Sequence, residues 1–537
     1  MESRMDKIFQ AYIDNEISLD EICTKFNITS WDFFNKLANF CNLHFVDLDE
    51  DNDFIYEGIP FSLLLKFKFL LIKNNDGFMI IRSKPCSLEL LEQVKTFMIC
   101  EKIDTAIADE LKIAKILNQI RIQEEIKRLS IKLRLEWQEN YKRDDQSCIS
   151  QIFDFLLHEI LSFHASDIHI EARNDDALIR FRVDGILREF AIFEKDIYEA
   201  LVFHVKFLAC LNLAESRKTQ DGSFELDFEN ERYDFRVSCL PLIYGESVVI
   251  RILKHDKEIL DLYKLNLGNK NLEILKKILH RPNGMILLTG PTGSGKSTTL
   301  YACLNELKSI EKKIISAEDP IEYKIPLVQQ ILLNSKVGVE FNSVLRAILR
   351  QDPDIIMIGE IRDEESLDIA LKASLTGHLL LSTLHTNDAL STIDRLLDMQ
   401  AKSYLIASAL SLVIAQRLVR KLCPWCKQKS KKHYIEFEGE FFEPKGCERC
   451  HHSGFFGREL IAECLEINED LACAIRENQD KTILMELAKK YGFQTMFEQG
   501  LKKAKEGLTS IDELLRVVRS NFMKWNFLKT IKIIQKL

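Results

Sequence analysis

Met285-Ile286-Leu287-Leu288-Thr289-Gly290-Pro291-Thr292-Gly293-Ser294-Gly295-Lys296-Ser297-Thr298 is the stretch from which the fold can be read. Five residues, apolar but for a closing Thr, read as a buried strand. The glycine-rich segment that follows reads as a tight loop, and Thr298–Leu307 has the spacing of a helix. Strand, glycine loop and helix in that order are the context a phosphate-binding loop requires. Glycines let main-chain N–H groups turn inward on phosphate oxygens, and the helix N-terminus adds partial positive charge. Lys296 is placed to reach the β- and γ-phosphates of a nucleotide, and Ser297 to bind Mg²⁺.

Working outward, further apolar runs occur at Lys313–Ala317, Ile355–Ile358 and Leu379–Leu384. They alternate with amphipathic segments at Ser343–Leu349, Glu365–Leu375 and Ala389–Leu397. Strands covered on both faces by helices imply a doubly wound, mostly parallel α/β sheet. In Asp352-Pro-Asp-Ile-Ile-Met-Ile-Gly-Glu360, an apolar strand delivers a carboxylate at its C-terminal end, the edge at which the glycine loop also lies. Glu360 is suited to hold Mg²⁺ through water or to orient an attacking water. Glu318, Asp319 and Glu322 follow another strand and share that edge. A carboxylate there can take a proton from water as it attacks phosphorus. Arg346 and Arg350 are four apart on one expected helix, hence on one face.

Before the core, residues 144–255 read as an α+β domain. A helical run, Ile149–Ser162, precedes strands at Ile168–Glu171, Ala177–Val183, Arg232–Cys239 and Ser247–Leu253. Between Cys86 and Asp184 there is no Gly or Pro, and residues 86–143 read as a helical linker. Residues 1–85 read as a small mixed domain. It has helical spacing across Ser18–Cys41 and a hairpin signal at Asn74-Asn-Asp-Gly77. After the core of 256–400, residues 401–470 read as a helical region around a cysteine-bearing insert, and 471–537 as a helical tail.

That insert holds Cys423-Pro-Trp-Cys426 and Cys447-Glu-Arg-Cys450, two pairs separated by about twenty residues, the spacing of a structural Cys₄ zinc site. Four thiolates leave no open coordination position, so such a metal is structural. His433, His451 and His452 read as bystanders, and the remaining cysteines of the 14 as small buried hydrophobes. The formal net charge of −9 argues against a nucleic-acid or anionic-membrane binder, and no aromatic-and-basic platform for single strands is present. The start of the chain lacks the apolar region of a signal peptide. The apolar stretch Tyr404–Ala415 is too short to span a bilayer. A cytoplasmic protein is expected, reaching any membrane through a partner.

Three further segments carry a resemblance. Ser316-Ala-Glu318-Asp319-Pro-Ile-Glu322-Tyr, the run Phe341–Asp363 and Thr376-Gly-His378-Leu-Leu-Leu-Ser-Thr-Leu-His385-Thr-Asn387 resemble the acidic box, second nucleotide motif and histidine box of the type II secretion and type IV pilus assembly ATPases. The likeness is dense from about 150 to 465. It implies a RecA-like ATPase core preceded by a PAS-like domain that closes on ATP, and a homo-hexamer. It also implies Mg²⁺ and Zn²⁺ as cofactors. The partners implied are an inner-membrane platform protein and a docking partner for residues 1–85, at the inner face of the bacterial inner membrane. Glu322 is then the candidate base and Glu360 the metal-side carboxylate, or the reverse. His385 is a γ-phosphate sensor, and Arg346, Arg350, Arg236 and Arg251 are phosphate-side cations. Gly290 to Thr298, with Glu318 and Asp319, form the nucleotide site. The sequence departs from the family where Ser223 stands in place of a usual arginine, so that one phosphate contact is missing or Arg217 takes over its role. Type II secretion, pilus extension and DNA uptake all use such motors, and the cysteine pairs favour an assembly motor over a retraction motor. The competing readings are a zinc-bearing nucleic-acid-dependent NTPase and a nucleotide-binding scaffold without turnover.

Overall fold

The computed structural model describes residues 2–518, apart from 27, 29, 49–53, 57, 75–76, 101, 140–146, 230, 255–260, 335–338, 431–436 and 438. The expected tail beyond 518, the end of the helical linker at 140–143, the two central hairpin residues and His433 lie outside the described residues. Chain contacts divide the molecule into two units. One comprises 1–224, 235–252 and 446–452, and the other the remainder.

In the first unit, the helical spacing of 18–41 becomes two helices, Leu19–Phe26 and Ser30–Phe40, whose Ile22, Phe33, Phe34 and Leu37 are fully buried. Four strands follow: β1 (His44–Phe45), β2 (Phe69–Asn74), β3 (Gly77–Arg82) and β4 (Ile103–Ile107), ordered β1-β4-β3-β2. The β2–β3 hairpin pairs Asn74 with Gly77, in the register the Asn-Asn-Asp-Gly signal predicts. β4 corrects the expectation of unbroken helix after residue 86. Ile103-Asp-Thr-Ala-Ile107 is rich in β-branched residues and pairs in parallel with β3, so long-range pairing prevails over the helical surroundings. The linker helix proper runs from Glu110 to Glu139.

The α+β part of this unit is a six-stranded sheet. Its strands are β5 (Asp167–Ala172), β6 (Asp176–Val183), β7 (Ile186–Glu194), β8 (Gln220–Phe228), β9 (Glu231–Leu242) and β10 (Gly245–Lys254), in the order β7-β6-β5-β10-β9-β8. β6 alternates half-buried and buried residues along its whole length, the signature of a sheet with one covered face. The helices Cys148–Ser162 and Lys195–Leu208 bury Ile152, Phe153, Leu156 and Ile160, and Leu201 and Val205. Within this apolar layer Lys206 is 2% exposed, and its ammonium lies 3.1 Å from both oxygens of Glu246. A buried cation needs such a partner.

The second unit is built on a seven-stranded sheet. It contains β11 (Gly284–Thr289), β12 (Ile314–Glu318), β13 (Val328–Leu332), β14 (Ile355–Ile358), β15 (Leu379–Leu384), β16 (Leu410–Leu422) and, beyond the two short strands β17 (Gln428–Lys429) and β18 (Phe442–Glu443), β19 (Phe455–Glu466). The order is β13-β12-β14-β15-β11-β16-β19, with every pairing parallel except β16–β19. The four strands read from the sequence are all present, and β11, β14 and β15 are buried at every position, as a sheet covered on both faces demands.

The helical expectation for 401–470 is corrected. After one short helix, Ser403–Ala409, the chain forms the two longest strands of this sheet. A short continuous apolar run such as Leu412–Ala415 carries no period that separates buried strand from buried helix. The open edge of β11 decides for strand. Four helices follow: Glu469–Arg476, Lys481–Lys490, Met496–Lys505 and Ile511–Val517. Among the described residues no helix is long and apolar enough to cross a membrane.

Candidate nucleotide site and cysteine cluster

β11 ends at Thr289, the loop runs from Gly290 to Gly295, and the next helix starts at Lys296. Gly290, Gly293 and Gly295 have φ of 144°, 76° and 86°, which L side chains resist. A Cβ on Gly290 would lie 2.4 Å from the Gln416 carbonyl oxygen, so bare backbone is required there. Gln416, fully buried on β16, supports the loop from beneath by donating from Nε2 to Ser294 O at 3.0 Å. Among the described residues, the Oε1 of Gln416 and the Oγ of buried Ser294 have no hydrogen-bond partner. Lys296 Nζ donates to Gly290 O at 2.8 Å and Pro291 O at 3.1 Å, which curls the side chain over its own loop. Burial lowers its pKa, and the Glu360 carboxylate works against that shift. Three bare glycines, an inward-curled ammonium, an unpartnered buried hydroxyl and a helix N-terminus fit the oxygens of a nucleotide triphosphate. Ser297 and Thr298, half-buried in the first helical turn, complete the set of residues that could hold it and its Mg²⁺.

Glu360 stands just past β14. Gly359 N donates to Ala317 O and Ile361 N to Thr383 O, while Thr383 Oγ1 donates to Gly359 O. The carboxylate is therefore carried on a backbone tied to both neighbouring strands. Asp363 then caps the helix Glu364–Leu375 in a reciprocal pair with Ser366. His385 Nε2 lies 3.3 Å from Glu360 Oε2, and Arg362 binds the other oxygen. Thr386, the residue after the histidine, is locked to the end of β11 by its N–H donating to Thr289 Oγ1 at 2.8 Å. The structure thus gathers Lys296, Glu360 and His385 at one edge of the sheet.

Other expected site residues fall differently. Glu318 is 3% exposed and turned inward, accepting from Tyr301 Oη, from Ser316 Oγ at 2.5 Å and from Gln330 Nε2 at 3.0 Å. Both of its oxygens are thus engaged by groups of the protein. Asp319 is exposed and joined to Pro320 by a cis peptide bond. Glu322 is half-buried, and its N–H donates to Tyr301 Oη at 3.0 Å. Tyr301, on the helix that begins at Lys296, thus links the phosphate-loop helix to the acidic box; burial and the two carboxylates push its pKa strongly up. Its role was not legible in the sequence, where it reads as one more core residue. Arg346 is exposed and bound to Glu365, and Arg350, beyond the helix end at Ile348, donates to Arg346 O at 3.1 Å. The expected shared helix face is not formed, because the helix ends before Arg350. In the first unit, Arg236 is half-buried on β9 and exposed Arg251 lies 3.3 Å from Asp167. Arg217 is exposed beside Glu215, and Ser223 is exposed on β8.

The sulfurs of Cys423, Cys426, Cys447 and Cys450 all lie within 4.8 Å of one another, and all four residues are buried. None forms a disulfide. Cys447 and Cys450 Sγ are 3.7 Å apart, close to the edge of about 3.8 Å that a tetrahedron with Zn–S bonds of about 2.3 Å requires. Lys427 N donates to Cys423 O at 3.0 Å and His452 N to Cys447 O at 2.9 Å, closing a turn after each pair. Four buried thiols gathered this closely fit zinc.

Residues 142–516 match the family described as Type II/IV secretion system protein. The chain belongs to this family. It is 43% identical over 385 residues to Type II secretion system protein E of Dickeya dadantii, covering 70% of this chain and 77% of that protein. It is 39% identical over 488 residues to Type II secretion system ATPase E of Vibrio cholerae, covering 86% and 97%. In fold it is similar to the Legionella pneumophila ATPase DotB, with a TM-score of 0.51 at 23% identity, covering 68% and 94%. The match to the Vibrio protein covers a larger share of this chain than the match to the Dickeya protein.

Proposed function

We propose that this chain is a Mg²⁺-dependent ATPase that works as a cytoplasmic homo-hexamer and drives assembly of a secretion pseudopilus through an inner-membrane platform protein. The grouping of Lys296, Glu360 and His385 around the glycine loop carries the reading. Mg²⁺ held near Ser297 and Glu360 would neutralise the β- and γ-phosphate oxygens. Water attacks the γ-phosphorus, a P–O bond forms, and the bond to the β-phosphate oxygen breaks. Glu322 or Glu360 accepts the proton from water, and ADP leaves with its new charge held by Lys296 and the loop amides. His385, its Nε2 3.3 Å from Glu360 Oε2, orients that carboxylate and reads the γ-phosphate. Arg236, Arg251, Arg346 and Arg350 act on the phosphates only when other parts of the hexamer or a closed form bring them there. The cysteine cluster holds zinc as a structural clamp. The relatives named for type II secretion support that system over pilus extension or DNA uptake.

Steady-state phosphate release from wild type, Lys296→Ala and Glu360→Gln tests the enzyme. Each substitution is expected to lower turnover by about 10²-fold or more. Turnover of Glu360→Gln equal to wild type would remove Glu360 from the chemistry. Loss of protein secretion, with surface fibres and transformation intact, in cells lacking the gene would support the assigned system.

A further inference from the structure

The loop that carries His385 is held from its far side by residues distant in sequence. Glu463, in the middle of β19 and 4% exposed, accepts Ala389 N–H through Oε1 at 2.7 Å and Met496 N–H through Oε2 at 2.7 Å. Ala389 is the residue before the helix Leu390–Asp398, and Met496 is the first residue of Met496–Lys505. One carboxylate thus satisfies the orphan donors of two helix starts. Two neighbouring contacts act on the same loop. Lys481, the first residue of its helix, donates to both oxygens of Asp388 at 3.0 Å and to Ser391 Oγ at 2.5 Å. Arg417 joins Asn387 Oδ1 at 3.0 Å to Val517 O at 3.2 Å. Every residue from Asn387 to Ala389 is therefore tied to β16, β19 or the C-terminal helices, while Thr386 is tied to the phosphate-loop strand.

We infer that Glu463 is a positioning residue for hydrolysis, fixing the His385 loop to the C-terminal helices so that their arrangement sets how His385 meets Glu360. The inference rests on the proposed role of His385. Glu463 touches neither nucleotide nor reacting atoms and acts through the loop alone. A misplacement of about 1 Å at a reacting group can cost about 10²-fold in rate, so a loosened loop is visible in turnover.

Glu463→Gln keeps the shape and retains one acceptor oxygen, but presents an amide N–H₂ to the second backbone donor. In the full-length protein, this variant is expected to lower kcat for ATP about tenfold with KM within about twofold, because the phosphate grip is untouched. Amide hydrogen exchange across 386–397 should accelerate. The double variant with His385→Ala should be no slower than His385→Ala alone, since both act through one loop. Additive losses, or wild-type exchange across 386–397 together with wild-type kcat, would overturn the inference. Lys481→Met, which loosens the same loop from another helix, should reproduce the kcat loss if Glu463→Gln proves poorly folded; wild-type kcat there counts against the clamp. Wild-type turnover in His385→Ala alone overturns the role of His385 and not the clamp, which the exchange measurement then decides.

Discussion

Tyr301 shows how one hydroxyl can connect two motifs that the sequence presents as separate. Its Oη donates to buried Glu318 and accepts the N–H of Glu322. Tyr301→Phe removes both contacts and leaves Glu318 one donor short in a site closed to water. A buried carboxylate that loses a donor is expected to cost about 1–3 kcal/mol, measured as a lower denaturant midpoint at unchanged slope. Turnover should fall as well if Glu322 is the base, because its backbone loses the anchor on the phosphate-loop helix. The glycines, Lys296 and Ser297 are legible from sequence because their chemistry is local: φ angles and one helix start define them. Glu318 and Glu322 look equivalent in Glu318-Asp-Pro-Ile-Glu322. Only the register of β12 shows that the first is spent on the core.

At the scale of elements, β19 and the helices around it carry a titrating group at their centre. Burial pushes the Glu463 carboxyl from the ordinary glutamate range up to about 7, and the amides of Ala389 and Met496 oppose the shift. A carboxyl whose folded pKa is raised contributes stability fully present below about pH 4.5 and lost as pH rises through about 7. Between these limits the unfolded chain has released its proton while the folded one keeps it. Wild type is therefore expected to lose about 3 kcal/mol across that window relative to Glu463→Gln. Thermal unfolding of both proteins between pH 5 and pH 8 checks the slope. Parallel curves would show that the carboxyl ionises normally. The expectation of helix across 401–470 missed this element because β19 is recognisable as a strand only beside β16, and β16 only beside β11.

For the whole molecule, the cysteine cluster lies in the stretch between β16 and β19, which leaves the sheet after Leu422 and returns at Phe455. Zinc bound there would close that excursion and hold the two strands' ends in register. Removing zinc with a chelator, or Cys423→Ser, is expected to lower the first unfolding transition by about 5 °C or more. Readdition of zinc should restore it in wild type and not in the variant. A transition insensitive to chelator in a protein shown by metal analysis to have lost zinc would sink the structural role.

Taken alone, the order of residues determined the nucleotide loop, the four central strands, the metal spacing and the family resemblance, because each depends on contacts within a few residues or on a motif of fixed spacing. Tertiary structure alone decided that Leu410–Leu422 is strand, that Ile103–Ile107 leaves the helical linker to join a sheet, that Glu318 faces inward, and that Glu463 grips two helix starts. Each of those outcomes is set by a partner far away in the chain: an open sheet edge that must be paired, or a buried polar group that must be satisfied. Local pattern carries no record of where such a partner will be found.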